Sequence, residues 1–278
     1  MKFAKKLLSI CSILTLFQVQ ANAQERIVSI GGDVTEIIYA LDSQQYLVGR
    51  DSTSMIPKEV NALPDVGYMR QLNAEGILAL KPTKVITSEV AQPSIVLEQL
   101  KSAGIKVDTI PFKYNAESVL EKIQKVGESL GKPTQAVTLA QKFTNELHAV
   151  PNSPLDVRIL FVLNRAGANQ TVAGKDTVAD EAIKLIGAKN AMGSHVRFVP
   201  ISQEGVISAN PDLIVMTHLG VKGLGSIDKV WDLPGIAHTN AGKNKQLVIV
   251  DDIAFMSFGL TTPKALLALR QAAEQVKK

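Results

Sequence analysis

The chain has 278 residues, of which 46% are hydrophobic and 20% are charged, and these proportions are those of a globular protein. Its formal net charge is +4. Lys2, Lys5 and Lys6 lie in an amino-terminal segment that is predicted to be removed, and without them 27 basic residues remain against 26 acidic ones. Because the remainder is nearly neutral and carries no basic run, the composition argues against a protein that binds nucleic acid through phosphate contacts.

Residues 1–23 are predicted to be a secretory signal peptide, cleaved after the small residue Ala23. The three lysines precede an apolar segment, Leu7–Phe17, which is too short to span a bilayer. The only cysteine, Cys11, lies in that segment behind the bulky Ile10, so we expect neither a lipid anchor nor a disulfide. No later apolar run reaches membrane-spanning length, and the expected product is a soluble exported protein, periplasmic in a host that has an outer membrane.

Strands and helices are predicted to alternate through the first half of the chain. A strand at Arg26–Ile30 ends at two glycines, and Asp33 is predicted to cap the next helix with Glu36 as its capping-box partner. The glycine pair lacks the spacing of a nucleotide-binding loop. The alternation favours an α/β lobe with a mostly parallel sheet covered on both faces. The further predicted elements are strands at Tyr46–Gly49, Lys84–Thr87 and Lys106–Pro111, and helices at Pro93–Ala103 and Glu117–Leu130.

A ten-residue pattern occurs twice in the chain. Asn73 to Pro82 contains Glu75, and Ser202 to Pro211 contains Glu204 at the same place, 129 positions later. Each copy is followed directly by an apolar segment that is predicted to be a strand. The equal offsets predict two similar lobes in one chain, and the alternative explanation is that short helices share such patterns by chance.

One long helix lies between the two copies. It starts at Pro133, and its apolar positions Val137, Ala140, Phe143, Leu147 and Val150 predict one buried face. We therefore predict an amino-terminal lobe at 24–132, a stiff connector helix at 133–151, a carboxy-terminal lobe at 152–278, and a ligand cleft between the lobes. In the second lobe we predict strands at Val157–Leu163, Asp212–Thr217 and Leu247–Asp251, helices at Thr177–Ile186 and Pro263–Val276, and a loop at Asn164–Lys175.

The sequence contains no recognisable catalytic or metal-binding motif. Its four histidines form no HExxH pattern, and no GxSxG turn presents a nucleophilic serine. A binding protein is therefore favoured over an enzyme, with an exported two-lobed hydrolase as the alternative.

Tyr68, between Gly67 and Met69 in a predicted turn, is the residue on which the functional hypothesis depends. One interpretation is a half-buried tyrosine that hydrogen-bonds through its hydroxyl. The other is a phenolate ligand to ferric iron, with Arg70 hydrogen-bonded to the phenolate oxygen. The offset of 129 places Arg197 opposite Tyr68, as a second cation near the cleft.

Five segments carry a family resemblance: Arg26–Gly32, Gly49–Ser54, Leu63–Arg70, Leu72–Gly76 and Phe258–Pro263, the last without Thr261. In these segments the mature chain resembles the periplasmic haem-binding proteins of bacterial haem-import ABC transporters. That branch belongs to a substrate-binding family which also serves vitamin B12 and ferric siderophores.

The resemblance implies that the cargo is haem b and that Tyr68 is its axial ligand, with Arg70 as neighbour. It implies that Glu75 and Glu204 meet arginines on the two permease subunits in the inner membrane, although an exposed helix residue of no special role is the alternative for each. It also implies a monomeric carrier, with an outer-membrane haem receptor as an upstream partner.

Some haem-binding relatives hold two stacked haems and use a histidine in the loop after the first strand of the second lobe. This chain has Arg165 there, and because arginine cannot ligate iron, we expect it to pair with a propionate. Met256 is predicted to pack on the porphyrin, with ordinary core packing as the alternative. One haem is the preferred stoichiometry, two stacked haems are the alternative, and a ferric siderophore or a corrinoid is the alternative ligand.

Overall fold

Helices and strands alternate along residues 25–165 and 169–276, which the computed structural model describes. The predicted signal peptide lies outside the described residues. Two β-sheets flanked by helices form two lobes, which confirms the predicted fold class. Short 3₁₀ helices occupy Gln44–Tyr46, Lys58–Ala62, Ile227–Val230 and Ile236–His238.

The first lobe is built on a four-stranded sheet. Its strands are β1 (Ile27–Ile30), β2 (Leu47–Arg50), β3 (Lys84–Ser88) and β4 (Lys106–Ile110). Its helices are α1 (Gly32–Ala40), α2 (Ala74–Ala79), α3 (Ser94–Ser102) and α4 (Ser118–Ser129). The strand order is β2-β1-β3-β4 and each pairing is parallel. Every residue of β1 and β3 is buried, as expected for a parallel sheet with helices on both faces.

Helix α1 begins differently from the prediction. Its first residue is Gly32, preceded by Gly31 at a φ of 112°, and the amide of Gly32 donates to the distant Thr53 Oγ1 at 3.2 Å rather than to a local capping side chain. The carboxyl groups of Asp33 and Glu36 instead make contacts distant in sequence, to Lys122 and to Leu260. The predicted capping box is therefore wrong, because tertiary partners take both acidic side chains.

The second lobe has a mixed sheet. Strands β5 (Arg158–Leu163), β9 (Leu213–Thr217) and β10 (Leu247–Val250) are parallel neighbours, and β7 (Lys189–Asn190) also pairs in parallel with β5. Strands β6 (Thr171–Ala173) and β8 (Phe198–Pro200) extend the sheet antiparallel. Strand β6 falls inside the predicted loop at Asn164–Lys175, because a three-residue strand is too short to show a periodic pattern in the sequence.

The helices after α5 (Pro133–His148) are α6 (Val178–Leu185), α7 (Gln203–Ala209), α8 (His218–Leu224), α9 (Asn240–Lys243), α10 (Asp252–Met256) and α11 (Thr262–Glu274).

The predicted repeat is present in both lobes. Asn73 caps α2 through the Glu75 amide at 2.8 Å, and Ser202 caps α7 through the Gly205 amide at 3.2 Å. The apolar residue that follows the glycine of each copy, Ile77 in the first and Val206 in the second, is fully buried. Both helices are followed by a residue of positive φ and then by strands, β3 and β9, that begin and end 129 positions apart.

The connector helix α5 ends at His148, three residues before the predicted boundary. It packs against α4 of the first lobe and α11 of the second. Phe143 is buried as predicted, but Val137 is 70% exposed and the buried position beside it is Ala136. A side chain on Gly127 of α4 would overlap Ala136, so this close helix contact fixes the rotation of α5 and turns Val137 to solvent.

One hydrophobic core runs through both lobes. It includes Ile27 and Ile123 from the first lobe together with Phe161 and Leu266 from the second. Two smaller clusters lie within the individual lobes. The shared core fuses the lobes at their base and leaves the ends of the strands free to form a site.

Candidate functional site

A cavity of about 600 Å³ lies between the lobes, at the carboxyl ends of the strands. The residues that follow β1 to β4 line one wall, and those that follow β5, β9 and β10 line the other. This is the usual place for a ligand in an open α/β sheet. The residues that line the cavity include Gly32, Asp33, Ser52, Thr53, Met55, Tyr68, Met69, Arg70, Ser88, Val90, Phe112, Leu163, Asn164, Arg165, Thr217, Leu219, Lys222, Asp252, Ile253, Met256 and Ser257.

Tyr68 reaches the cavity from a turn that two neighbouring loops hold in place. Gly67 has a φ of 96°, which favours glycine, and its carbonyl accepts a 2.9 Å bond from the Ser52 amide. The carbonyl of Met69 accepts a 2.7 Å bond from the Gln92 amide. The backbone on both sides of Tyr68 is therefore tied to the loops after β2 and β3, which gives its ring a defined position.

The hydroxyl of Tyr68 accepts a hydrogen bond from the other lobe. Arg165 Nη1 donates to Tyr68 Oη at 2.8 Å, and the guanidinium carbon lies 5.8 Å from the ring centroid. The sequence predicted this contact for Arg70 and a propionate partner for Arg165. Arg70 lies on the cavity wall and is exposed to solvent. The structure thus gives the phenol a cationic partner 97 positions away in the chain.

Arg197 is not among the described residues that line the cavity, although the offset of 129 placed it opposite Tyr68. It is exposed at a φ of 61°, and its amide and carbonyl bond to Lys175 and Gly174. Ahead of α7 the second lobe forms β8, whereas the first lobe forms the tyrosine turn. The repeat therefore does not extend to these segments, and Arg197 does not join Tyr68 in the cavity lining.

Sulfur and hydrocarbon cover much of the cavity wall. Met256 lines it together with Met55 and Met69, beside Phe112, Leu163, Leu219 and Ile253. Thioether side chains adapt to irregular apolar ligands. Phe255, the neighbour of Met256, faces the core instead, where it stacks on Phe161 at a centroid distance of 5.8 Å.

Three charged residues of the cavity, Asp33, Lys222 and Asp252, were not predicted from the sequence to lie there. Lys222 lies on α8, a helix capped by Thr217 through the Gly220 amide at 3.1 Å, and the Thr-x-x-Gly pattern could have revealed that cap. Asp252 accepts a 3.2 Å bond from the Leu219 amide, and burial raises the pKa of its carboxyl. Arg70, Arg165 and Lys222 thus give the cavity three cationic side chains.

Glu75 and Glu204 lie outside the cavity lining, exposed in the first turns of α2 and α7. Three residues after each, Leu78 and Ile207 are 37% and 39% exposed. The two lobes therefore present equivalent small surfaces, each with one carboxylate and one large apolar side chain.

Neither a metal cluster nor a membrane-spanning helix occurs within residues 25–165 and 169–276. No group of three or more histidine, cysteine or acidic residues there is placed to hold a metal ion. No helix in this part of the chain combines the length and apolarity needed to cross a membrane.

Two solved structures with a similar fold are those of periplasmic heme-binding proteins. The chain is similar to the periplasmic heme-binding protein RhuT from Roseiflexus sp. RS-1 in apo form, with a TM-score of 0.87 and 36% identity, covering 90% of this chain and 98% of that one. It is also similar to the periplasmic heme-binding protein BhuT in complex with two hemes, with a TM-score of 0.82 and 33% identity, covering 90% and 97% of the two chains.

Two further relatives are similar in sequence over most of their length. YvrC of Bacillus subtilis, an uncharacterised ABC transporter substrate-binding lipoprotein, is 29% identical over 91% of this chain and 80% of its own. A vitamin B12-binding protein of Yersinia pestis is 24% identical over 95% and 90% of the two chains. The family model described as periplasmic binding protein matches residues 27–254, and the chain therefore belongs to the periplasmic binding protein family.

Proposed function

We propose that this protein binds haem b in the cleft between its lobes, in the periplasm, and delivers it to an inner-membrane ABC importer. The observation that carries the proposal is the Tyr68 hydroxyl, which meets the Arg165 guanidinium at 2.8 Å beside an apolar cavity. Membership of a binding-protein family and the likeness to RhuT and BhuT support the cargo.

The proposed iron ligand is the phenolate of Tyr68. A free phenol ionises only near about pH 10, so a phenolate at neutral pH needs a nearby positive charge or a metal ion. Arg165 supplies a guanidinium that stabilises negative charge on the oxygen through a charge-assisted hydrogen bond. Ferric iron then takes the place of the hydroxyl proton.

The walls of the cavity suit the rest of a haem. The methionines and Phe112, Leu163 and Ile253 offer apolar surface to a porphyrin, and its burial drives binding. Arg70 and Lys222 are the proposed partners of the propionate carboxylates. One haem per protein is proposed, because Arg165 contacts the hydroxyl of Tyr68 and so narrows the space between the walls.

The proposed delivery surface consists of Glu75 and Leu78 on α2 with Glu204 and Ile207 on α7. Two equivalent patches suit a partner with two-fold symmetry, such as a pair of permease subunits. Each carboxylate would meet an arginine of one subunit, beside an apolar contact that keeps water away.

A hemin titration of Tyr68→Phe tests the iron ligand. We expect the wild-type protein to show a Soret band with the charge-transfer features of phenolate-bound ferric haem. The variant should lose those features and bind hemin at least about tenfold more weakly, or about 1.4 kcal/mol. Tyr114→Phe is the matched control, because Tyr114 is a half-exposed tyrosine that does not belong to the cavity lining. An unchanged spectrum in Tyr68→Phe would remove this residue from the site.

A corrinoid or a ferric siderophore is the second candidate cargo, favoured by the vitamin B12-binding relative. These ligands bring their own metal ligands and need no protein phenolate. Competition between hemin, cobalamin and a ferric siderophore separates the candidates, since the preferred cargo displaces the others at equal concentration.

A further inference from the structure

Two buried polar contacts cross between the lobes at the floor of the cavity. The first centres on Lys122 of α4, whose side chain is fully buried. Its ammonium donates to Asp33 Oδ2 at 2.5 Å, to the Ser257 carbonyl at 2.6 Å and to the Phe258 carbonyl at 3.0 Å. Asp33 and Ser257 belong to opposite lobes and both line the cavity. The ammonium thus joins helices of the first lobe to the segment before α11 in the second.

The second contact centres on Glu36 of α1, which is 4% exposed. Its Oε2 accepts a 2.9 Å bond from the Leu260 amide, and its Oε1 accepts a 3.4 Å bond from the Thr261 hydroxyl. The same hydroxyl lies 3.4 Å from Asp251 Oδ1. A side chain on Gly259 would overlap Glu36 Oε2, so glycine permits the second lobe to approach this closely.

The charged groups that face Glu36 are acidic. Asp251 precedes α10 and Asp33 lies on α1 itself, while the segment before α11 contributes the Leu260 amide and the Thr261 hydroxyl. The ammonium of Lys122 is hydrogen-bonded to Asp33 and the two carbonyls. Burial, and then the charge of Asp251, raises the pKa of Glu36 to about 8. Its carboxyl is therefore protonated at neutral pH, and loss of the proton would place a second buried negative charge beside Asp251.

We propose that Lys122 and Glu36 are positioning residues that fasten the two lobes at one spacing, and that the Glu36 contact loosens when its carboxyl loses its proton. A buried ammonium that leaves its partners exposes an unpaired charge to an apolar interior, so the first contact resists separation. The second contact resists separation of the lobes only while the Glu36 carboxyl is neutral. The width of the cleft, and hence its fit to a flat ligand, would then depend on these two side chains. Only the identity of that ligand rests on the proposed function.

Distances between spin labels on the two lobes test the proposal without haem. The only cysteine of the chain, Cys11, lies in the predicted signal peptide, so Ala79→Cys with Ser208→Cys in the chain from Gln24 onward gives one exposed label on α2 and one at the matching position of α7. Electron–electron distance measurements would be made at about pH 6 and about pH 9.5, on either side of the Glu36 titration. Glu98→Gln, an exposed residue of α3, is the control variant.

We expect one narrow distance distribution at the lower pH and a broader, longer one at the higher pH, with Glu98→Gln behaving like the wild-type protein. Glu36→Gln should stay narrow at both values, because a neutral amide oxygen still accepts from the Leu260 amide. The Lys122→Met variant should give a broad distance distribution at both pH values. If Lys122→Met does not fold, Glu36→Gln decides the question alone. The proposal would be overturned if the distance distribution of the wild-type protein did not change with pH. It would also be overturned if the distribution of Glu36→Gln changed with pH as that of the wild-type protein does. Hemin binding is measured separately, so its failure leaves this result intact.

Discussion

At the scale of single residues, the site depends on a contact between the lobes. Tyr68 belongs to a turn of the first lobe and Arg165 follows the first strand of the second, yet their side chains meet at 2.8 Å. A hydrogen bond from a charged donor is stronger than one between two neutral groups. The same contact that prepares the proposed iron ligand therefore also links the two walls of the cavity.

Arg165→Gln and Arg70→Gln distinguish the two arginines. Because Arg165 contacts the phenol oxygen, we expect its loss to shift the charge-transfer band of the hemin complex and to weaken binding about tenfold, or about 1.4 kcal/mol. Arg70→Gln should weaken binding while the band stays in place, since its proposed partner is a propionate. A hemin titration followed by absorption checks both. A band that moves only in Arg70→Gln would reverse these roles.

Glu36 should make stability depend on pH. Its pKa rises from 4.5 to about 8 in the folded protein, so the folded state holds a proton that the unfolded state has lost between these values. The resulting stabilisation is complete below pH 4.5 and is gone above about pH 8. Between the two pKa values it declines by roughly 1.4 kcal/mol for each pH unit. Urea unfolding measured across this pH range should show that the free energy of unfolding of Glu36→Gln depends less on pH than that of the wild-type protein. If the free energy of unfolding of both proteins changed equally with pH, the assignment of this pH dependence to Glu36 would be contradicted.

At the scale of elements, helix packing decides which residues of α5 are buried. The contact between Gly127 of α4 and Ala136 of α5 sets the rotation of the connector helix and leaves Val137 in solvent. Without a side chain on Gly127, the two helices approach closely enough to bury Ala136 and Phe143 together. This packing couples the first lobe to the helix that leads into the second.

Gly127→Ala should therefore destabilise the protein, although alanine is the better helix former. The added methyl group would overlap Ala136, and overpacking of this kind costs about 1–3 kcal/mol. Gly76→Ala is the matched control, because a side chain there meets no atom within 4 Å and should be neutral or stabilising by up to about 1 kcal/mol. Urea unfolding measures both. Equal effects of the two substitutions would show that the contact is not tight.

At the scale of the whole molecule, two similar lobes share one core and open toward one cavity. The core passes from β1 and α4 of the first lobe to β5 and α11 of the second. Equivalent patches on α2 and α7 face solvent, which gives the molecule an approximate two-fold character that a symmetric partner could match.

The double variant Glu75→Ala with Glu204→Ala tests this partner. We expect hemin uptake into membrane vesicles that contain the importer to fall at least about tenfold, because both patches lose their carboxylate, while hemin affinity in solution stays unchanged. Glu98→Ala removes an exposed carboxylate elsewhere and should transport normally. Normal transport by the double variant would exclude these glutamates from the docking surface.

Local interactions explain what the sequence by itself determined about this protein. Caps, apolar periods and turn residues act between near neighbours, so the strand–helix alternation, the repeat of α2 and α7, and the turn that presents Tyr68 could all be predicted. Tertiary structure decided the contacts between distant residues: Arg165 on Tyr68, Glu36 on Leu260, and the burial of Ala136 in place of Val137. Each of these depends on how the two lobes and their helices pack, and no periodicity or spacing in the chain encodes that geometry.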